Sequence, residues 1–299
     1  MDASRLILGC GNFGGIGSAP AFFGQGETRE QAFALMDVAW EAGIRRFDTA
    51  DAYGGGRSET WIGEWIRDRG LRPTLTTKVF HSVVGDPDDV GLAPERIRRQ
   101  LHGSLERLGV DRVELYLTHE PDAATPIADT LGELGQLREE GLVAAYGLSN
   151  VDVAELREAR GLAPVAAVQN SYSLLDREAE PLLDEPVAFQ AFGPLAGGWL
   201  TGKYRRGEQA PEGSRMTLRP EPYRHLEDDH VFEALDRLGV EAAARGVDRA
   251  TLAIAWLLSD TRVDGVVLGP RRPEHLEPGL RALELVLDAD DRERLAGLF

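Results

Sequence analysis

The sequence is poor in cysteine, in basic residues and in long apolar runs. Cys10 is the only cysteine among 299 residues, so the chain can form neither an internal disulfide nor a thiolate zinc site. Lys and Arg together number 33 against 50 Asp and Glu, and the net charge of −17 disfavours partners such as nucleic acid or an anionic membrane surface. No stretch approaches the roughly 18 apolar residues of a membrane-spanning helix.

The first residues, 1–5, contain neither a basic segment nor a long apolar one, so no secretory signal is predicted. Apolar residues make up 42% of the chain and charged residues 28%, which is ordinary for a globular protein. These features predict a soluble, cytoplasmic protein that holds no metal and partners neither nucleic acid nor membrane.

Short apolar segments alternate with segments of helical periodicity along the whole chain. The expected strands are 5–8, 46–48, 74–78, 113–118, 144–148, 166–169, 187–192 and 263–268. Most are continuously apolar, as is typical of parallel strands that are buried on both faces. Between them, helix ends are marked by the capping pair Thr28 and Gln31, by Pro94 and by Gly109. Eight β/α units predict a (β/α)8 TIM barrel that forms one domain over residues 1–299.

Two stretches are longer than an ordinary strand-to-helix loop, residues 11–26 and residues 196–229. Both follow expected strands, so both belong to the face on which TIM barrels carry their active sites. A G-x-G-x-x-G pattern at 9–14 precedes the first of them. A dinucleotide-binding Rossmann fold needs a helix that starts within this motif, but the next helix signal is Thr28. The motif is therefore not interpreted as a nucleotide site.

Four polar residues lie at or just beyond the ends of three expected strands: Asp48, Tyr53, Lys78 and His119. Each one alone has an ordinary structural explanation as a loop or strand-end residue. A tyrosine has a pKa of about 10, and a neighbouring ammonium lowers it by roughly 1–3. Lys78 is predicted to act in this way if Asp48 offsets the cost of burying its charge, with His119 orienting a carbonyl oxygen. The group is suited to protonating an oxygen, and it includes no nucleophile, so a bound hydride donor is expected.

With these residues in place, the sequence resembles the aldo-keto reductase family over nearly its whole length. The matching segments are 47–54, 56–59, 77–78, 117–119, 147–150, 168–170, 193–198 and 202–204. The resemblance implies a TIM barrel that binds an extended nicotinamide dinucleotide across its mouth. It also implies that Tyr53 is the general acid and that Asp48, Lys78 and His119 form the catalytic set with it.

The resemblance further implies which residues contact the cofactor. Ser149, Asn150 and Gln169 correspond to the family's hydrogen-bonding partners of the nicotinamide carboxamide, and Phe192 to a ring that stacks on the nicotinamide. The extended loop after the seventh strand would cover the pyrophosphate, with contacts from Gly193, Pro194, Leu195, Gly197, Leu200 and Lys203.

The segment after the eighth strand resembles the family's site for the adenosine 2′-phosphate. It contains Gly269, Arg271, Arg272 and His275, with Pro273 expected as the first helical residue. A pair of arginines in this place on an acidic chain favours NADPH as the cofactor.

The substrate pocket is expected in the variable loops, with Asn12, Phe13, Phe80 and His81 as candidates. The predicted function is NADPH-dependent reduction of an aldehyde or ketone, and the predicted partner is a small carbonyl compound. The alternatives are an NAD-linked alcohol dehydrogenase and a nicotinamide-binding redox sensor or accessory protein with little turnover. A sugar-phosphate lyase or isomerase on the same barrel gives no account of Ser149, Gln169 and Phe192.

Overall fold

Eight parallel strands form a closed barrel in chain order, with β1 paired to both β2 and β8. A computed structural model describes residues 2–299. The strands are β1 Leu6–Gly9, β2 Arg46–Asp48, β3 Thr74–Val79, β4 Val113–Thr118, β5 Val143–Ser149, β6 Ala167–Ser171, β7 Ala188–Phe192 and β8 Val263–Leu268. All eight predicted strands are present, and each end lies within two residues of its expected position.

Ten α-helices lie between or after the strands. They are α1 Arg29–Glu41, α2 Arg57–Arg69, α3 Pro94–Leu108, α4 Ile127–Glu139, α5 Val153–Leu162, α6 Arg215–Leu218, α7 Asp229–Ala244, α8 Arg249–Leu258, α9 Glu277–Ala282 and α10 Ala289–Ala296. The capping box of Thr28 and Gln31 opens α1, and Gly109 ends α3 with a left-handed φ of 65°. Both helix ends are as the sequence predicted.

Large apolar side chains fill the layer between the strands and the surrounding helices. Trp65 of α2 is fully buried, and its ring lies 5.4 Å from that of Phe47 in β2. The Trp65 indole N–H donates a 2.8 Å hydrogen bond to Asp37 of α1, so the polar end of this side chain is also satisfied. These contacts fix β2, and with it Asp48, against two helices.

The connection between β6 and β7 departs from the predicted alternation. It contains only a 3-10 turn, Glu180–Asp184, in place of an α-helix. Pro181 lies in the first turn of this segment, where a proline is tolerated, and Pro186 follows two residues after it. A longer helix would place Pro186 in its interior, where a proline removes a hydrogen bond and clashes with the preceding turn. The eight β/α units predicted from the sequence are therefore seven with a helix and one without.

The extended connection after β7 has short helical turns of its own. A 3-10 turn, Ala196–Thr201, is followed by α6 and by a second 3-10 turn, Glu221–Leu226, before α7 begins. Among residues 2–299, no helix combines the length and the apolarity needed to span a bilayer.

Candidate active site

The four polar residues predicted as a catalytic set lie together at the carboxyl end of the barrel. Asp48 ends β2, Lys78 is in β3, His119 follows β4 directly, and Tyr53 is in the β2–α2 loop. Lys78 Nζ lies 2.6 Å from Asp48 Oδ1, and the Tyr53 hydroxyl lies 3.4 Å from His119 Nε2. Lys78 Nζ is 5.2 Å from the centroid of the Tyr53 ring.

A row of amide side chains continues this arrangement across the barrel. Gln169 Nε2 donates to Asp48 Oδ2 at 2.8 Å and to Gln190 Oε1 at 3.1 Å. Gln169 and Gln190 are directly paired in the register of β6 and β7, and both side chains are buried. Both carboxylate oxygens of Asp48 thus accept hydrogen bonds. Gln169, on β6 across the barrel, fixes the orientation of Asp48 toward Lys78. Gln190 was not predicted, although a glutamine inside an otherwise apolar strand could have indicated it.

The tyrosine keeps its proton at neutral pH. Burial raises the pKa of Tyr53 above its ordinary value, the Lys78 ammonium opposes this, and the negative charge of Asp48 adds to it. The sequence predicted a lowered pKa, and that prediction is wrong for the net direction. Lys78 acts in the expected sense, but removal of the phenol from water is the larger effect.

The neighbouring lysine and histidine differ in their charge states. Burial alone would lower the pKa of Lys78, but Asp48 and Tyr53 favour the ammonium and leave its pKa raised. Burial, followed by the charges of Lys78 and His81, holds the pKa of His119 well below its ordinary value. The site therefore combines a cationic lysine, a neutral imidazole and a protonated phenol.

A second buried carboxyl group lies three residues from Asp48 but has no partner. Neither oxygen of Asp51 has a hydrogen-bond partner among the described residues, and its side chain is fully buried. Burial, and then the nearby Glu59, raise the pKa of Asp51 well above its ordinary value. Glu59 is also fully buried, but it accepts hydrogen bonds from Thr77 and, at 2.8 Å, from Arg107.

The residues expected at a nicotinamide lie on neighbouring strands at the same mouth. Ser149 Oγ donates to the Gln169 carbonyl at 2.7 Å, and Asn150 Nδ2 donates to the His119 carbonyl at 2.8 Å. Asn150 has a left-handed φ of 57° and links β5 to the catalytic loop. Phe192 ends β7 and is partly exposed. Gly193, with a φ of 66°, and the buried Pro194 follow it.

The loop after Leu195 brings backbone and cations close together. Gly197 has a φ of 63°, and a Cβ added there would lie 2.6 Å from the Tyr223 ring, so only glycine fits. Burial lowers the pKa of Lys203, and the charges of Arg215 and Arg271 lower it further. Three cations thus lie in one region, where Glu27 pairs with Arg271 and leaves a net positive charge, which suits an anionic ligand.

Arg215 was not assigned a role from the sequence, although it lies in the extended loop. Its Nη2 donates to Asn12 Oδ1 at 2.6 Å, and no carboxylate pairs with it among residues 2–299. The available sequence signal was the presence of several arginines in this loop on a chain of net charge −17.

The two arginines after β8 have different environments. Arg271 Nε donates to the buried Glu27 at 2.8 Å, and its Nη1 donates to the Gly213 carbonyl at 2.6 Å. The Arg272 side chain is 73% exposed and lies 4.0 Å from Glu274 at its nearest ion-pair contact. Arg271 thus links two loops, whereas Arg272 is free to meet a ligand.

The rest of this segment follows the expected pattern. A 3-10 turn begins at Pro273, as predicted, and it leads into α9. Gly269 is exposed, and His275 Nδ1 accepts from the Arg271 backbone N–H at 3.2 Å.

The structure separates the four residues predicted to line the substrate pocket. Phe80 and His81 are partly exposed, and the His81 ring lies 4.8 Å from that of His119. Asn12 is buried, and its side-chain oxygen is bonded to Arg215. Phe13 is fully buried in the hydrophobic core and has no surface to offer a substrate. Among residues 2–299, no group of His, Cys, Asp and Glu is arranged to hold a metal ion.

The closed barrel and its Tyr–Lys–Asp–His mouth place the protein in one class. The family model of the Aldo/keto reductase family matches residues 5–298, so the chain belongs to this family and is an oxidoreductase. Members of the family act on small carbonyl compounds and generally use NAD(P)H.

Two curated proteins are similar to the chain in sequence. It is 33% identical over 323 residues to the uncharacterized oxidoreductase YrpG of Bacillus subtilis (strain 168), covering 100% of this chain and 93% of that protein. It is 32% identical over 284 residues to a probable voltage-gated potassium channel subunit beta of Oryza sativa subsp. japonica, covering 88% and 85%.

Two solved structures are similar to it in fold. A glycerol dehydrogenase from Gluconobacter oxydans superposes with a TM-score of 0.83 at 25% identity, covering 98% of this chain and 90% of that one. A thermostable aldo-keto reductase in complex with the inhibitor epalrestat gives a TM-score of 0.76 at 27% identity, covering 99% and 95%.

Proposed function

We propose that the protein reduces an aldehyde or ketone to an alcohol with NADPH and that Tyr53 is the general acid. The observation that carries this proposal is the contact geometry of one phenol. The Tyr53 hydroxyl lies 3.4 Å from His119 Nε2 and beside a lysine that Asp48 holds at 2.6 Å. A protonated hydroxyl in this position can deliver a proton to a carbonyl oxygen at the mouth.

His119 and Lys78 support the transfer in different ways. His119 Nδ1 is buried without a partner, so a proton on Nε2 leaves only an unbonded acceptor at Nδ1. With that tautomer, Nε2–H donates toward the Tyr53 oxygen, and the Tyr53 proton stays available for the substrate. The Lys78 ammonium and the His119 N–H both stabilise the phenolate that remains after the proton has left.

The mouth also suits the dinucleotide that the proposed reaction needs. Ser149, Asn150 and Gln169 would hold the carboxamide, and Phe192 would lie against the nicotinamide ring. Gly197 lets the backbone approach a pyrophosphate, and the cations at Lys203, Arg215 and Arg271 would neutralise it. The bound cofactor supplies the hydride.

The choice of NADPH over NADH rests on Arg272. This side chain is 73% exposed at the start of the Pro273 turn, and its ion-pair contact with Glu274 is a long one of 4.0 Å. It is free to bind a 2′-phosphate, with Gly269 and His275 beside it.

The direct test is NADPH oxidation, followed by absorbance, with a panel of aldehydes, ketones and ketosugars. We expect turnover with reactive aldehydes, and slower turnover when NADH replaces NADPH. Tight NADPH binding with no turnover on the whole panel would reject the reductase.

Two other functions have support from relatives. The similarity to a probable potassium channel subunit beta favours a cofactor-binding accessory protein, which would bind NADPH and turn over little. The similarity to a glycerol dehydrogenase favours alcohol oxidation. Assays with NADP+ or NAD+ and a polyol panel separate this direction from carbonyl reduction.

A further inference from the structure

One arginine on the segment that covers the mouth has no partner within the protein. Arg219 directly follows α6 and is partly buried. No side-chain hydrogen bond or ion pair engages its guanidinium among residues 2–299. Other arginines with comparable burial are paired, such as Arg107 with Glu59 at 2.8 Å and Arg292 with Asp260 at 2.9 Å. On a chain with 50 acidic residues, an unpaired and partly desolvated guanidinium indicates a place for an anion from outside.

Contacts of the first loop place Arg219 beside the catalytic tyrosine. A Cβ added at Gly17 would lie 3.7 Å from Arg219 Nη1. The Gly17 carbonyl accepts from the N–H of Gly54, the residue after Tyr53, at 3.2 Å. The Gly17 N–H in turn donates to Gly11, where an added Cβ would lie 3.5 Å from the Tyr53 ring. The guanidinium is therefore at the substrate entrance, one loop away from the reacting hydroxyl.

Arg219 lies between Arg215, one of the cations expected at the cofactor phosphates, and the catalytic end of the mouth, because burial and then the Arg219 charge lower the pKa of both Arg215 and His81. Burial lowers the pKa of Lys203, and the charges of Arg215 and Arg271, but not that of Arg219, add to the effect. Burial also lowers the pKa of His81. Glu120, 3.1 Å away, opposes this shift, and the charges of Arg96 and Arg219 add to it. His81 lies against His119, with ring centroids 4.8 Å apart. Arg219 is therefore close enough to the catalytic end of the groove to contact a substrate there, although Arg215 is also near it.

We propose that Arg219 binds a carboxylate on the substrate, so that the preferred substrates are aldehydes or ketones that carry a carboxylate remote from the carbonyl. The inference rests on the proposed reductase function and specifies its substrate class. A guanidinium matches a carboxylate in a bidentate fork. The His81 ring lies 5.2 Å from that of Phe80 and 4.8 Å from that of His119, centroid to centroid.

The test compares 4-carboxybenzaldehyde with 4-methylbenzaldehyde, which have similar shapes and differ in charge. We expect the wild-type protein to prefer the carboxylate by about tenfold or more in kcat/KM, mostly through KM. Arg219→Gln should remove this preference and leave kcat/KM for the methyl compound within about twofold. Arg224→Gln, an exposed arginine on the same segment, is the matched control and should behave as wild type.

Three outcomes would overturn the inference while leaving the reductase intact. These are equal kcat/KM for the two aldehydes in the wild type, equal losses on both in Arg219→Gln, and a matching loss of NADPH affinity in that variant. If neither aldehyde reacts, the proposed function itself is challenged. Calorimetric titration of benzoate into protein saturated with NADP+ then tests whether Arg219 binds a carboxylate, independently of turnover. Binding that weakens about tenfold in Arg219→Gln supports it, and unchanged or absent binding refutes it.

Discussion

The strand ends and the loop segment above them are two polar regions that are built differently. At the strand ends, Asp48 is bonded through both oxygens to Lys78 and Gln169, and the buried charge has a buried counter-charge. In the loops, burial and neighbouring cations lower the pKa values of Lys203 and Arg215. Tyr223 and Glu27 oppose this at Arg215, but Glu27 is already paired with Arg271. At the strand ends, the buried charges are balanced within the protein. The loops have excess positive charge, which a ligand would neutralise.

This difference separates chemistry from recognition. Changes at Asp48 or Tyr53 should alter the rate or the stability of the protein and leave ligand affinity largely intact. Changes in the loops should alter affinity for charged ligands and leave the reaction itself largely intact.

The largest effect is expected from Tyr53→Phe. The substitution removes only the hydroxyl that donates the proton, and a positioned general acid contributes about 10²–10⁴ in rate. We expect kcat to fall by that factor, while the dissociation constant for NADPH, measured by fluorescence titration, stays within about twofold. A fall of less than tenfold, with chemistry shown to limit the rate, would exclude Tyr53 as the acid.

A large loss of stability is expected from Asp48→Asn. The variant leaves Lys78 buried without its counter-charge, and breaking a buried pair from one side costs about 3–5 kcal/mol. Urea denaturation at pH 7 measures the loss of unfolding free energy. An unchanged denaturation midpoint would show that the Thr49 carbonyl, 2.9 Å from Lys78 Nζ, is sufficient to hold the lysine.

A smaller effect, confined to one ligand, is expected from Arg272→Ala. A hydrogen bond to a charged group contributes roughly 1.5–3 kcal/mol, so NADPH affinity should fall about ten- to a hundredfold and NADH affinity should not change. Arg271→Ala is the comparison, because it leaves Glu27 buried and unpaired and should weaken both cofactors and the fold. Equal effects of Arg272→Ala on the two cofactors would show that Arg272 does not bind the 2′-phosphate.

The smallest effect is expected from Asp51→Asn, and it should have the opposite sign to that of Asp48→Asn. The raised pKa of Asp51 means that the folded state holds this proton more tightly than the unfolded chain, whose Asp ionises near pH 3.9. The wild type therefore loses stability as the pH rises above about 4, up to the pKa of the folded state. The variant should therefore be more stable than wild type at pH 7.

The pH dependence provides the check. The advantage of Asp51→Asn should shrink toward zero as the pH falls to about 4, where the wild-type carboxyl is protonated in both states. An advantage that is the same at pH 4 and pH 7 would show that ionisation of Asp51 is not its cause.

The barrel and the catalytic set could be predicted because their signals are local. A continuous apolar run defines a buried strand, and the ends of parallel strands meet at one mouth, so Asp48, Lys78 and His119 converge wherever the barrel closes. The direction of the Tyr53 pKa shift could not be predicted in this way, because it depends on how completely the folded loops exclude water from the phenol.

The loop contacts could not be predicted from the sequence, for a different reason. The Arg215–Asn12 bond joins residues 203 apart in sequence, and the Arg271–Glu27 ion pair joins residues 244 apart. Such pairs depend on the conformation of long loops, which no periodic pattern specifies. Asn12 was therefore assigned to the substrate, although its side chain binds the covering segment.

The bond from Gln169 to Asp48 also has a consequence for the order in which the molecule is assembled during synthesis. Asp48, Tyr53, Lys78 and His119 all lie in β1–β4 and their loops, and Gln169 is 121 residues beyond Asp48. A nascent chain can therefore bring the aspartate and the lysine together before the fifth strand emerges. The pocket becomes closed to water only when β8 reaches β1 across the barrel seam. We expect partly synthesised chains to contain a solvent-exposed ion pair between Lys78 and Asp48. The burial that raises the pKa of Tyr53 should be completed last.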